Sequence, residues 1–346
     1  MLSEKQMNEI KEHLDKAQNP IFYYDNDADG LCSFLIFRRY LGRGKGVAVR
    51  SYPELNAKYA RKAQELNADY VFVLDKPVVA REFVEEINKI GLPLVWIDHH
   101  DIVTERFEKE FDNFFVFNSK KEPVTYLAYK IVNRKEDIWI ALMGCVADHY
   151  MPDFASEFAS AFPDYWSKGV KEPFDVYYKT EIGKIAQALN FGLKDSITHV
   201  VQLQSFLISC KGPGDVLLEA KGNNSFRQKN KEIREKYSEL LEKARKEEFG
   251  RLIFFVYGGE LSISAGIANE LSYFFRDKYI CVGYKNGEIT NFSLRGKGVK
   301  RILARVIEGF EGASGGGHDD AVGARIRTGD LGRFRDLLIQ SIDNNV

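Results

Sequence analysis

What this chain has little of already narrows its class. Four cysteines occur in 346 residues, Cys32, Cys145, Cys210 and Cys281, and none forms a C-x-x-C pair. That argues against a disulfide scaffold or a thiolate zinc site and for buried thiols in a reducing compartment. No apolar run reaches the ~18 residues that a membrane span needs. The first segment, MLSEKQMNEIKEHLDKA, is charged throughout and lacks the apolar centre of a secretory signal. Net charge is −1, so no broad basic surface is present, and a polyanionic substrate has to be gripped locally. No internal repeat or low-complexity tract stands out. The expectation is a soluble, cytoplasmic protein with no membrane partner.

What is present reads as a well-packed α/β protein, 45% hydrophobic and 29% charged. The length exceeds one usual core, so two domains are expected. Met7, Ile10 and Leu14 behind Ser3 predict an amphipathic helix. The apolar runs IFYYD (21–25), GVAVRSY (46–52), YVFVLD (70–75) and LPLVWID (92–98) then alternate with helical patterns near 30–41, 53–67 and 77–90. Such alternation predicts a doubly wound parallel sheet with helices on both faces. FFVFNS (114–119) adds a strand and 122–149 two helices, which completes a first domain over 1–150. Residues 151–248 read as a helical extension, aromatic-rich at first, ending in a polar, Lys- and Glu-dense helix from 223 that acts as a connector or a surface helix. Residues 249–346 form a smaller α/β domain with a mixed sheet. Its strands are RLIFFVY, YICVGY and EITNFSLR, with helices near 264–277 and 299–308; the glycine-rich GASGGGHDDAVGA (312–324) precedes RIRT and a closing helix.

Ligands of a doubly wound sheet gather beyond the carboxyl ends of its strands. Three strands here end in acid: the first runs into Asp25, Asp27 and Asp29, the third ends in Asp75, and the fourth in Asp98, His99 and His100. Asp148 closes the apolar helix IWIALMGCVADHY, where a carboxylate at a helix C-terminus is unfavourable unless a positive group offsets it. Taken singly, Asp75 reads as a helix cap, the histidines as surface residues and Asp148 as a loop residue. Together they crowd carboxylates and imidazoles at one edge, and carboxylates a few ångströms apart cannot all stay ionised. A pair of divalent cations resolves the conflict. Mixed oxygen and imidazole donors suit Mn²⁺, with Mg²⁺ or Zn²⁺ as weaker options, and two such ions support in-line displacement at phosphorus.

DNDADG, VFVLD, IDHH and CVADHY, in that order, resemble the four motifs of the DHH phosphoesterase superfamily. NFSLRG and GGGH resemble the phosphate-binding signatures of its associated C-terminal domain, so the likeness spans roughly 20–150 and 250–330. The resemblance implies a two-domain, two-metal phosphodiesterase, usually Mn²⁺-dependent, with its site in the cleft between domains. It assigns Asp27 and Asp75 to one ion and Asp29, Asp75, His99 and Asp148 to the other. It places His100 near the scissile phosphate as ligand or general acid, and Asp98 behind the histidine pair. Arg295 and His318, with the backbone of Gly315, Gly316 and Gly317, would bind a substrate phosphate. Many relatives carry a histidine four residues before the match to Asp27; here Tyr23 stands there, and an acid at Asp25, typical of the RecJ-like branch, is the substitute ligand.

Compact archaeal RecJ-like proteins share this appearance, which implies a single-strand exonuclease releasing mononucleotides from DNA or RNA ends. Near-zero charge and a compact chain favour short substrates instead, as in hydrolases of short oligonucleotides or of 3′-phosphoadenosine 5′-phosphate. A non-catalytic scaffold that binds single strands or a replication protein is the alternative from another class, with Tyr23 in its favour. The resemblance leaves room for a helicase or a replication or repair protein as partner, and for an oligomer. Aromatic residues over 150–178 read as base-stacking faces or as core packing.

Overall fold

The computed structural model describes residues 1–51, 54–100, 110–220 and 222–344. Tyr52 and Pro53, at the junction of the expected strand 46–52 and helix 53–67, lie outside the described residues. The chain divides into two compact units, Met1–Asn230 and Lys231–Val346.

In the first unit, α1 (Glu4–Lys16) precedes β1 (Pro20–Asp25), α2 (Ala28–Leu41), β2 (Lys45–Val49), β3 (Glu54–Leu55), α3 (Ala60–Glu65), β4 (Tyr70–Leu74), β5 (Val78–Val79), α4 (Arg81–Lys89), β6 (Leu94–Asp98) and β7 (Phe114–Asn118). Helices α5 (Val124–Val132), α6 (Ile138–Ala147), α7 (Ala155–Ala161), α8 (Pro173–Lys179), α9 (Glu181–Gly192), α10 (Ile197–Ser209) and α11 (Gly214–Leu217) follow. The capping box that Ser3 forms with Gln6 starts α1 as its sequence predicts. Five parallel strands make one sheet in the order β2-β1-β4-β6-β7. β4 and β6 are buried along their whole length, which is why their sequences are unbroken apolar runs rather than alternating ones. Phe22, Tyr24, Phe72, Leu74 and Ile97 face a core built with α1, α2, α5 and α6. Ile21, Tyr23, Val71, Val73 and Trp96 face a second core under α3 and α4. The expected helix near 53–67 is shorter than its pattern suggests, because β3 pairs with β5 in a small parallel ribbon ahead of α3.

The strand order turns in both directions from β1, with β2 on one side and β4 on the other, and such a switch point opens a crevice at the carboxyl ends. Helix α2 starts immediately beyond β1, and Gly30 lets it sit there. A Cβ at that position would lie 2.4 Å from the carbonyl oxygen of Asp25.

Helix α12 (Asn224–Ala244) carries the boundary between the units. It is less exposed than its charge density suggests. Phe226, Ile233, Tyr237, Leu240, Leu241 and Ala244 form a buried stripe at helical spacing, and the Tyr237 hydroxyl donates to Gly266 O (3.0 Å) and Glu270 (2.7 Å). The second unit continues with β8 (Glu248–Phe249), β9 (Leu252–Tyr257), α13 (Ser264–Phe274), β10 (Tyr279–Asn286), β11 (Ile289–Arg295), α14 (Val299–Ile307), β12 (Ser314–His318), β13 (Ala321–Arg327) and α15 (Leu331–Asp343). Its six-stranded sheet is mixed, in the order β12-β13-β11-β10-β9-β8, with only β9 and β10 parallel. Within the glycine-rich run, SGGGH is the outer strand β12, paired antiparallel with β13.

Replacing Gly30 with alanine forces α2 away from β1, because the blocking atom is backbone and cannot rotate aside. We expect a loss of about 3 kcal/mol, read from the urea midpoint. An unchanged midpoint would mean that the helix has room to shift.

Candidate metal centre

Asp25 ends β1 and Asp98 ends β6, with β4 between them, so the parallel pairing brings three strand ends to one edge. Each acidic side chain there meets a different partner. Asp27 is the N-cap of α2 and accepts the Gly30 N–H at 2.9 Å. Burial, then the charges of Asp25 and Asp29, push its carboxyl up to about 7, and it shares a hydrogen bond with Asp75. Asp29, 2% exposed and itself in α2, caps α5: it accepts from the N–H groups of Val124 (2.9 Å) and Thr125 (2.8 Å) at the start of that helix.

Asp75 follows β4 in the left-handed region, at φ +57°. Its N–H donates to Ile97 O at 3.0 Å, and its side chain is buried. Burial, followed by the charges of Asp29, Asp27, Asp98 and Asp148, drives its carboxyl well above the usual carboxylate range. Asp98 is wholly buried and turns Oδ1 onto the N–H groups of His99 and His100 and onto His100 Nδ1, the last at 2.8 Å. Burial alone would raise Asp98; the contacts with His100 outweigh it and hold the group below its ordinary value. In return His100 rises to about 9, against a burial effect of opposite sign.

His99 Nε2 sits at the centre, 3.3 Å from Asp75 Oδ1, 3.6 Å from Asp148 Oδ2 and 4.0 Å from Asp29 Oδ2. Two sets of donor atoms each converge within 4.8 Å, Asp75 with Asp98, His99 and His100, and Asp29 with His99 and Asp148. These residues fit a divalent cation on two counts. The buried oxygens Asp75 Oδ1 and Asp98 Oδ2 accept no hydrogen bond, and carboxylate oxygens with neutral imidazole are the donors that Mn²⁺ and Mg²⁺ accept.

Two expected ligands stand apart from both sets. Asp25 is bound by Lys76, whose ammonium lies 2.8 Å from Asp25 Oδ1 and donates to Ser51 O at 2.7 Å. Lys76 is fully buried, and reading the sequence overlooked it. Its signal was a lone lysine directly after a strand-end aspartate, on an edge otherwise lined with acid. Asp27 reaches the cluster through Asp75 instead. Tyr23 packs in the second core, edge-on to Phe83, and its hydroxyl donates to Tyr59 O at 2.8 Å, so it is not a ligand in place of histidine.

Aromatic residues over 150–178 divide by role. Phe154 and Phe158 are core. Phe174 stacks on His149, next to Asp148, at 4.1 Å between ring centroids, and Tyr178 stacks on Phe174 at 6.0 Å. In the second unit, Arg295 and His318 both register with Ala321, one from each side of β13, so they share one end of the sheet. The Arg295 guanidinium is oriented by Asn269 Oδ1 at 2.6 Å. Gly315, Gly316 and Gly317 present an outer strand with no side chains; at Gly317 (φ +140°) a Cβ would lie 2.5 Å from Ala321 O.

Residues 21–155 match the family described as "DHH family, N-terminal domain". No curated protein matches the chain closely enough to count as a relative. Among solved structures, the chain is similar to RecJ in complex with Mn²⁺ from Thermus thermophilus, at 13% identity and a TM-score of 0.65. That match covers 99% of this chain but 55% of RecJ, so the chain spans about half of its length. A manganese-bound exonuclease RecJ matches at 14% identity and TM-score 0.65, covering 100% of this chain and 96% of the other. The DHH domain of a member of a ribosomal-protein family matches at 14% identity and TM-score 0.63, covering 98% and 89%.

Raised carboxyl values mean that the folded state holds more protons than the unfolded chain, so stability falls as pH rises through the window from about 4 to 7. His100, raised to about 9, adds stability that is present below about 6.5 and lost as pH rises through 9, which has the same sign. In chelator, the melting temperature should therefore fall between pH 5 and pH 8. Excess Mn²⁺ should raise it, most at pH 8. A melting temperature blind to Mn²⁺ at pH 8 would remove the cation from this cluster.

Proposed function

We propose that the protein is a divalent-metal-dependent phosphodiesterase acting as a single-strand exonuclease, a reading supported by the match of residues 21–155 to the DHH family and by the likeness of the fold to RecJ. It would release mononucleotides from DNA or RNA ends. The observation that carries this is the convergence of Asp29, Asp75, His99 and Asp148 around His99 Nε2, with buried oxygens left without partners. These four residues would hold one ion, and Asp75 with Asp27 a second, Mn²⁺ or Mg²⁺. Bound there, the ions would lower the pKa of water and offset charge on the phosphoryl oxygens.

The remaining work falls to the chain's own groups. With Nδ1 held by Asp98, His100 would use its Nε2 toward the substrate. That atom can bind a phosphate oxygen or give a proton to the leaving oxygen. In the second unit, Arg295 and His318 would bind a substrate phosphate, next to an outer strand whose glycines permit close approach. The manganese-bound RecJ likeness supports this choice over other phosphoesters.

A non-catalytic single-strand-binding protein is the alternative. It is favoured by the Lys76 ammonium, which already neutralises Asp25. The deciding experiment follows 5′- and 3′-labelled DNA and RNA, from two nucleotides to about thirty, in excess Mn²⁺. Stepwise shortening of long strands is expected, and the surviving label gives the polarity. Cleavage of only the shortest oligomers would make the protein a nano-RNase. Silence with Mn²⁺ bound would establish the binding protein.

Asp75→Asn should lower turnover by about a thousandfold or more at any Mn²⁺ concentration, while the fold persists. Retained turnover would end the metal assignment. His318→Ala should raise KM more than it lowers kcat; an unchanged KM would release His318 from substrate binding.

A further inference from the structure

β2 is the outer strand of the parallel sheet, paired only with β1 among the described residues. Alternate residues of such a strand turn N–H and C=O groups away from the sheet, ready to pair with another chain. A groove of about 550 Å³ runs along that edge. Five consecutive residues, Gly44 to Ala48, line it. Neighbours on a strand point to opposite faces, so a cavity touched by all five lies along the edge of the strand and not over one face.

The groove has two further walls. One is α10, which contributes Ile197, Val200, Val201, Gln204, Ser205 and Ile208, the i, i+3, i+4, i+7, i+8 and i+11 positions of a single helical stripe. Ile197 is 70% and Val201 48% exposed, a costly placement for apolar side chains unless something covers them. The other wall is the segment of Lys58, Tyr59, Arg61 and Lys62. Charge on the lining is one-sided. Arg38, Lys45, Arg50, Lys58, Arg61 and Lys62 stand against the single carboxylate of Glu65, which is already shared by Arg61 and Lys62.

We infer that this groove receives an extended acidic peptide of a partner protein, which adds a strand to β2. The edge would supply main-chain hydrogen bonds, the α10 stripe would take alternate apolar side chains, and the basic rim would select acidic ones. Five strand residues span about 17 Å, enough to pair with a segment of similar length. A nucleic-acid strand would use the basic rim, but it would leave the strand edge unpaired and would set phosphates against Ile197 and Val201.

The test uses the full chain and a fluorescent peptide, Asp-Val-Glu-Ile-Glu-Val-Asp-Leu, with a twelve-nucleotide oligo-dT as the competing ligand. Binding with a Kd of about 10–100 µM is expected. It should weaken at least tenfold in the Lys45→Glu, Lys58→Glu double variant and separately in Val201→Asp. All three side chains are exposed, so each variant should melt like the wild type, and that melt is checked. Hydrogen exchange of residues 44–49 should slow when the peptide binds. Absence of binding, equal binding to the variants, or unchanged exchange at 44–49 would overturn the proposal. Tighter binding of oligo-dT, weakened by the same variants, would overturn it in favour of a nucleic-acid track.

Discussion

Negative charge crowded at one sheet edge is the constraint to which the rest of the first unit answers. The fold meets it carboxylate by carboxylate. Asp27 takes the N-terminus of α2, Asp29 that of α5, Asp25 a buried ammonium, and Asp98 the histidine pair. Helix termini, a lysine and an imidazole are three different sources of positive charge, and each is fixed to an element that the sheet itself positions. Asp75 and Asp148 meet neither a helix terminus nor a lysine, only the His99 ring that they share. What the scaffold leaves uncompensated is therefore the space around His99 Nε2, and the site is defined as much by subtraction as by convergence.

The same logic explains how the sequence pointed to the residues of the candidate site. Buried parallel strands must be apolar throughout, so a polar residue that follows four or five apolar ones marks a carboxyl end without any coordinates. Asp75, Asp98 and His99 fall under that rule, and Asp148 under its helical counterpart. The rule locates an edge but not a direction. It does not tell that Asp25 turns to Lys76 while Asp29 turns to α5, because both choices depend on residues 51 and about 95 positions away. Tyr23 illustrates the other limit: by period it lies on the face of β1 that packs under α3 and α4, which only the sheet order reveals.

Elsewhere the pattern misled for physical reasons. Glycine weakens a strand, yet at the outer position of a mixed sheet β13 supplies all the pairing that SGGGH needs. Helix α12 reads as solvated because Lys and Glu outnumber its apolar residues. A narrow stripe once per turn is nevertheless enough to seat it.

Asp75 combines a left-handed backbone, a buried carboxyl and neighbours of like charge. Each of the three works against the fold in the absence of a cation, and a glycine or asparagine there would relieve one or more of them. Decay of this position is thus thermodynamically downhill.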